Sequence, residues 1–292
     1  MTLSRPHKPP VTRFPQRDLD VGGVRMRYID VRPERVADER GTLLLIHGHT
    51  SRLEEYEALV PTLATSHRVL VPDLPGSGYS DKPFRRYTLG FLEDSLLGFL
   101  DALGVTTCSI GGGSLGGNLT LRLAHREPAR FFKLVPWAPA GGWEPLPFWL
   151  KKVGDFFQRQ FLFELLFWPM LRVQSRYWYE PSWPGRKQAL ADAFAYYKEV
   201  YSPAFARMYW EIGHEQLCQT LLPAAPKIDH PTLIFWGDRD HGLDMGACVK
   251  RLVAKMPRAR LHVFAGARHS LAQEVPAELA RIAADFLVDE AD

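Results

Sequence analysis

The sequence predicts an α/β protein: a mostly parallel central sheet, flanked by helices and interrupted by a helical insertion. Apolar runs of strand length alternate with helix-like segments from Val24 to about Ala140, and the alternation resumes at Pro231. Between these regions, residues 143–210 hold 20 of the 35 aromatic residues and no convincing strand. A chain of 292 residues is long enough to bury a sizeable core.

The individual elements follow from periodicity. Short apolar runs ending at glycine or proline are typical of buried parallel strands, whereas apolar residues every three or four positions indicate helices. Strands are predicted over 24–31, 42–48, 68–73, 106–112, 133–138, 231–236 and 260–266. Helices are predicted over 53–63, 88–103, 119–126, 245–255 and 276–287.

The pattern divides the chain into three parts. We expect a core domain of residues 21–140 and 227–292 and an inserted helical cap over 141–226. Residues 1–20 are expected to form a flexible N-terminal arm, because four of the first fifteen residues are proline. This arm is basic but has no apolar stretch of the kind that a secretory signal contains.

The composition argues against nucleic-acid, membrane and metal binding, and it indicates a cytoplasmic protein. The formal net charge is +3, without the clustered basic excess of a nucleic-acid groove. The three cysteines, Cys108, Cys218 and Cys248, form no CxxC pair and indicate reduced thiols in a cytoplasmic protein. The most apolar stretch, 161–171, is far shorter than the ~20 residues of a membrane span. No residues show metal-ligand spacing, so we expect neither a metal nor a cofactor.

The strongest local signal is the pentapeptide 112–116, Gly-Gly-Ser-Leu-Gly, between a predicted strand and a helix. A G-x-S-x-G turn lifts the hydroxyl of its serine, here Ser114, above the sheet, and the small residues allow neighbouring segments to approach. A glycine-rich phosphate turn is the alternative. A dinucleotide site is disfavoured, because the next predicted strand does not end in the acidic residue that such a site requires.

A serine hydroxyl needs a base and an orienting carboxylate before it acts as a nucleophile. Asp240 and His269 each follow a predicted strand, so the chain order is Ser114, Asp240, His269. The carboxyl ends of parallel strands form the edge at which open α/β sheets build their sites. Asp238 and Asp244 are weaker candidates for the acid.

Four motifs in this order resemble the α/β-hydrolase fold superfamily, in its cap-bearing, carboxylesterase-like serine hydrolase branch. Besides the serine turn they are HGHT (47–50), DLPGSGYS (73–80) and GARHSLAQEVP (266–276). The resemblance implies catalytic Ser114, Asp240 and His269, and an oxyanion hole made by the backbone N–H groups of His49 and Leu115. We further expect His47 to hold the oxyanion loop by hydrogen bonds, and His241 to lie at the surface.

The resemblance implies hydrolysis of a carboxylic ester, thioester or lactone through an acyl-enzyme. The aromatic-rich insertion suggests an apolar small-molecule substrate; the aromatics in question are Trp149, Phe156, Phe157, Phe161, Phe163, Phe167, Trp168, Tyr177, Trp178 and Tyr179. Epoxide hydrolases and haloalkane dehalogenases of this fold use aspartate where this chain has Ser114.

Three alternatives stay open. A ring-fission C–C hydrolase also uses serine, although that family tends to carry tryptophan where this chain has Ser270. The others are an acyltransferase and a small-molecule receptor that retains the triad. Association as a homodimer is also open.

Overall fold

The computed structural model describes residues 12–35, 41–144, 152, 163–242 and 245–289. Eight described strands form one sheet, in which they lie side by side in the order β1-β2-β4-β3-β5-β6-β7-β8. The strands are β1 Gln16–Val21, β2 Val24–Val31, β3 Thr42–Ile46, β4 Arg68–Pro72, β5 Cys108–Gly113, β6 Phe131–Trp137, β7 Thr232–Gly237 and β8 Ala259–Phe264. The pairs β1–β2 and β2–β4 are antiparallel and all other neighbours are parallel, which confirms the predicted fold class.

Helices cover both faces of this sheet. They are α1 Val60–Leu63, α2 Leu89–Ala102, α3 Leu115–Arg126, α4 Phe163–Gln174, α5 Arg186–Val200, α6 Pro203–Cys218, α7 Met245–Lys255, α8 Leu271–Glu274 and α9 Pro276–Val288. The described residues also include three short 3-10 helices: Leu53–Tyr56, Pro128–Arg130 and Ala225–Lys227. Among the described residues, no helix is both long and apolar enough to cross a bilayer.

Successive side chains along the strands point to opposite faces of the sheet and pack into two separate apolar cores. Leu44 and Ile46 of β3 belong to one apolar cluster, together with residues of α2 and α3. Leu43 and Leu45 belong to the other, together with residues of α1 and α9. This alternation is the period of two that a strand imposes, and it makes β3 and its parallel neighbours buried on both faces. Cys108 is buried in the first cluster, as expected of a structural thiol.

Two expected elements differ in the structure. Residues 1–11 lie outside the described residues, but Gln16–Val21 is not an arm: it pairs with β2 as a hairpin. The turn residues Gly22 and Gly23 have φ of 61° and 81°, which suits a two-residue hairpin loop. The helix expected over 53–63 is instead the 3-10 helix Leu53–Tyr56 followed by α1, because Pro61 in the first turn of α1 starts a new helix.

The chain between β6 and β7 contains α4, α5 and α6, within the range 141–226 where the cap is predicted. Both α5 and α6 contact the loops at the carboxyl edge of the sheet, through Tyr196, Tyr197 and Tyr209. That this region forms a separate cap domain stays a prediction.

Candidate active site

Ser114 lies at a sharp turn between β5 and α3. Its backbone has φ 54° and ψ −111°, a conformation that L-residues rarely adopt. The turn is held because the Ser114 N–H donates to the Trp137 carbonyl at 2.9 Å and the Ser114 carbonyl accepts from the Asn118 N–H at 2.9 Å. Strain of this kind at the tip of a strand-turn-helix is the signature of an exposed nucleophile.

The glycines around Ser114 are required by close backbone packing. A Cβ atom on Gly112 or on Gly116 would overlap the carbonyl oxygen of Ile46 at the end of β3. A Cβ on Gly113 would overlap the indole nitrogen of Trp137 on β6. The close approach of β3 therefore requires both glycines of the G-x-S-x-G motif, and β6 requires the additional glycine at position 113.

Asp240 and His269 form a hydrogen-bonded pair. His269 Nδ1 lies 2.7 Å from Asp240 Oδ2, and Asp240 is only 2% exposed. Asp238 accepts instead from the Gly266 N–H at 2.7 Å, and Asp244 lies outside the described residues. The described hydrogen bonds include none between Ser114 and His269, although both residues follow carboxyl ends of parallel strands. Such bonds often tighten only when substrate binds.

The surroundings of His269 raise the pKa of its imidazole above the ordinary value for histidine. Burial by itself lowers the pKa of His269, but the charge of Asp240 and the hydrogen bond to it raise that pKa. The carboxyl groups of Glu55 and Glu274 raise it further, so the net direction is upward. Since Nδ1 donates to Asp240, Nε2 is the atom left to exchange protons.

The oxyanion loop follows β3. His47 is fully buried; its Nδ1 donates to the Gly48 carbonyl at 2.8 Å and its Nε2 accepts from the Leu74 N–H at 3.0 Å. Burial lowers the pKa of His47, which keeps the ring in this neutral tautomer. The predicted role of His47 as a holder of the loop is confirmed by these two bonds.

The two predicted oxyanion donors flank the nucleophile. Leu115 is the first residue of α3, so its N–H has no partner within the helix. A Cβ on Gly48, next to His49, would lie 3.7 Å from the Ser114 Cβ, so the loop and the nucleophile are adjacent. Within the described part of the chain, no hydrogen bond is made by the N–H of His49 or of Leu115. That these two N–H groups hold an oxyanion stays a prediction.

The side chain of His49 packs against the insertion. Its ring stacks on Tyr209 of α6, with ring centroids 5.1 Å apart and an angle of 15°. Burial lowers the pKa of His49 to about 4. The ring is therefore uncharged at neutral pH and does not compete with His269 for protons. His241, by contrast, is exposed, as expected.

A buried charge network under the site was not predicted from the sequence. Asp73 Oδ2 accepts from Arg27 Nε at 2.6 Å and from the Tyr79 N–H at 2.7 Å, and Asp73 Oδ1 accepts from the Leu53 N–H at 2.8 Å. Arg27 also pairs with Glu54 at 2.9 Å. One carboxylate thereby fixes the DLPGSGYS loop to the 3-10 helix that follows the oxyanion loop. The sequence of β2 alternates between polar and apolar residues, and this pattern does not indicate that Arg27 is buried.

Glu55 is a second functional candidate that sequence reasoning missed. Its carboxyl group interacts electrostatically with His269 and with the hydroxyl groups of Tyr179 and Tyr197. Burial raises the pKa of Glu55. The LEEY sequence offered no signal, because glutamate in a turn is most often a solvated residue.

The aromatic residues of the insertion are mainly structural where they are described. Phe167 is fully buried and meets Trp168, Phe205 and Tyr209 edge to face at 5.1–5.8 Å. Tyr177, in contrast, is 49% exposed. Trp149, Phe156, Phe157 and Phe161, and the side chain of Phe163, lie outside the described residues. The described residues contain no group of His, Cys, Asp and Glu placed to hold a metal ion.

Comparison with known proteins identifies the family of this chain. The model of the alpha/beta hydrolase fold family matches residues 41–274. The chain is 27% identical to the 2-hydroxymuconate semialdehyde hydrolase of Pseudomonas sp. (strain CF600), over 85% of this chain and 87% of the relative. It is 28% identical to the 2-hydroxy-6-oxo-6-phenylhexa-2,4-dienoate hydrolase of Burkholderia cepacia, over 80% and 82% of the two chains.

A solved structure has the same fold. The enol-lactonase of Burkholderia xenovorans LB400 superimposes with a TM-score of 0.75 at 20% identity. The superposition covers 94% of this chain and 100% of the enol-lactonase. The family match, the strained serine turn and the Asp–His pair lead to one conclusion: the chain belongs to the alpha/beta hydrolase fold family.

Proposed function

We propose that this protein is a serine hydrolase that cleaves a carboxylic ester, thioester or lactone of an apolar small molecule through an acyl-enzyme on Ser114. The observation that supports this most directly is the 2.7 Å bond between His269 and Asp240, at the same edge of the sheet as the strained Ser114 turn. The family membership supports hydrolysis in general.

The proposed reaction has two halves. Ser114 Oγ attacks the carbonyl carbon while His269 Nε2 takes the hydroxyl proton, and Asp240 stabilises the imidazolium. The N–H groups of His49 and Leu115 hold the oxyanion. The bond from the carbonyl carbon to the leaving-group oxygen, or sulfur in a thioester, then breaks, and His269 gives the proton to that atom. Water repeats the cycle on the acyl-enzyme and releases the acid and free Ser114.

Hydrolysis of a carbon–carbon bond is the second candidate. The two relatives that are 27% and 28% identical are named for 2-hydroxymuconate semialdehyde and for a 2-hydroxy-6-oxo-6-phenyl dienoate, and both cover most of this chain. In this chain Ser270 follows the histidine, where ring-fission hydrolases tend to carry tryptophan. This difference favours the ester.

The proposal is tested with p-nitrophenyl esters of graded acyl length, run beside Ser114→Ala and the control Ser182→Ala, an exposed serine on the insertion. We expect turnover that peaks at one acyl length, disappears in Ser114→Ala and persists in Ser182→Ala. A fluorophosphonate probe should label the wild type and Ser182→Ala but not Ser114→Ala.

The alternatives give different results in the same assay set. Cleavage of a 2-hydroxy-6-oxo-dienoate without ester turnover would establish the C–C hydrolase instead. Acyl transfer to an added alcohol in preference to water would identify an acyltransferase. Absence of both labelling and turnover would contradict a serine hydrolase and favour a receptor.

A further inference from the structure

Three consecutive residues of the oxyanion loop each contact a different tyrosine of the insertion. His49 stacks on Tyr209 of α6 at 5.1 Å, and the Thr50 hydroxyl lies 3.4 Å from the hydroxyl of Tyr197 on α5. The Ser51 carbonyl accepts a hydrogen bond from the Tyr196 hydroxyl, also on α5, at 3.2 Å. The insertion thus contacts three successive residues of the loop that carries one predicted oxyanion donor.

The loop needs to be held, because its own conformation is strained. The Ser51 N–H donates to the Gly48 carbonyl at 3.2 Å and closes a tight turn with His49 and Thr50 at its centre. Thr50 has φ 57°, in the left-handed region that β-branched residues disfavour. Such a conformation persists only where surrounding contacts determine it.

Tyr196 is the best placed of the three tyrosines to determine it. Besides donating to Ser51, its hydroxyl accepts from the Gly78 N–H at 2.7 Å, and the side chain is buried. Gly78 belongs to the DLPGSGYS loop, which Asp73 fixes through the Tyr79 N–H at 2.7 Å. The Tyr196 hydroxyl therefore ties the oxyanion loop to a second, independently anchored loop.

We propose that Tyr196 is a positioning residue for the oxyanion hole, which makes the insertion a part of the catalytic apparatus. The inference rests on the proposed function, since it assumes that the His49 N–H binds an oxyanion. In this arrangement Tyr196 never touches the substrate. It fixes Ser51, and the Gly48–Ser51 turn transmits this position to the intervening His49 N–H.

The test compares Tyr196→Phe with the matched control Tyr87→Phe. Tyr87 is buried, and its hydroxyl donates to the Pro83 carbonyl at 2.8 Å, outside both the oxyanion loop and the insertion. Both variants remove the hydroxyl of a buried tyrosine, but only Tyr196→Phe releases the oxyanion loop. The readouts are kcat and KM on the best p-nitrophenyl ester, the inhibition constant of an alkylboronic acid, and Tm.

We expect Tyr196→Phe to lower kcat about tenfold and to weaken the boronic acid by a similar factor, with KM nearly unchanged. Outright loss of an oxyanion donor costs roughly a hundred- to thousand-fold, and displacement should cost a part of this. Tyr87→Phe should leave kcat and the inhibition constant of the boronic acid close to the wild-type values. Assays well below both Tm values separate positioning from loss of folded protein.

Several results would overturn the inference. These are an unchanged kcat in Tyr196→Phe, an equal loss of kcat in Tyr87→Phe, or a rise in KM alone. If Tyr196→Phe does not fold, Tyr197→Phe, which releases only the 3.4 Å contact to Thr50, should show the same pattern at smaller size, and wild-type behaviour there would also contradict the inference. Failure of the proposed function is distinct, because the wild type itself would then neither hydrolyse esters nor react with the fluorophosphonate.

Discussion

The Tyr56 hydroxyl accepts a hydrogen bond from the Gly113 N–H at 3.0 Å, directly before the nucleophile. The same hydroxyl donates to the Ile46 carbonyl at 3.0 Å, and Tyr56 is 1% exposed. One buried phenol therefore joins the end of β3, where the oxyanion loop begins, to the end of β5, where the nucleophile turn begins.

Tyr56→Phe should destabilise the protein by roughly 1–3 kcal/mol, because a buried N–H and a buried carbonyl lose their shared partner. Urea unfolding of the variant and the wild type measures this free energy. The control is Tyr177→Phe, at a tyrosine that is 49% exposed, which should be close to neutral. Equal stability of Tyr56→Phe and the wild type would mean that the phenol bridge contributes nothing.

Gly116→Ala should destabilise the protein by at least about 2 kcal/mol, because the added methyl group overlaps the Ile46 carbonyl oxygen. The matched control is Gly90→Ala in the first turn of α2, where the nearest atom would be 3.9 Å away. This substitution should be neutral, or stabilising by up to about 1 kcal/mol, since alanine is the better helix former. Thermal unfolding of both variants checks the contrast, and similar Tm values would contradict it.

Asp240→Asn should reduce kcat on the order of 10⁴-fold, because the asparagine amide no longer selects the tautomer in which His269 Nε2 is free. Asp238→Asn serves as the control: that carboxylate bonds to the Gly266 N–H and not to the histidine, so a much smaller loss is expected. Steady-state kinetics on the best ester distinguishes the two. A larger loss in Asp238→Asn would reassign the acid.

The pH profile should report the raised pKa of His269. Neutral His269 is the active base, so kcat/KM should rise with pH around a midpoint above 6.5, the ordinary value for histidine. Glu55→Gln removes a carboxyl group that raises this pKa, so the midpoint should move down by a fraction of a pH unit. A profile that stays in place, or moves up, would show that Glu55 does not act on His269.

The sequence was sufficient to predict most of the sheet and the pairing of Asp240 with His269. The strands from Val24 onward are apolar runs whose burial alone predicts them, and Asp240 and His269 occupy motif positions after the last two strands. β1 was not predicted, because polar and apolar residues alternate only weakly along its six residues and it follows a proline-rich stretch. The Gly22–Gly23 pair was nevertheless a signal of a hairpin turn.

The contacts of the insertion could not be predicted. Tyr196, Tyr197 and Tyr209 lie among 20 aromatic residues between positions 143 and 210, and most aromatics of such a stretch serve its own packing. Which hydroxyl groups meet the oxyanion loop depends on how α5 and α6 dock on the sheet, and no local pattern encodes that docking. Arg27 and Glu55 were missed for the same reason, because their partners are far away in sequence.

The order of the strands has a consequence for the chain while it is being synthesised. Ser114 follows β5 at the centre of the sheet, whereas Asp240 and His269 follow β7 and β8, which lie at one side of the sheet. During synthesis the serine hydroxyl is therefore made well before the imidazole that is proposed to activate it. In the proposed mechanism the hydroxyl becomes reactive only after β7 and β8 have paired with the rest of the sheet.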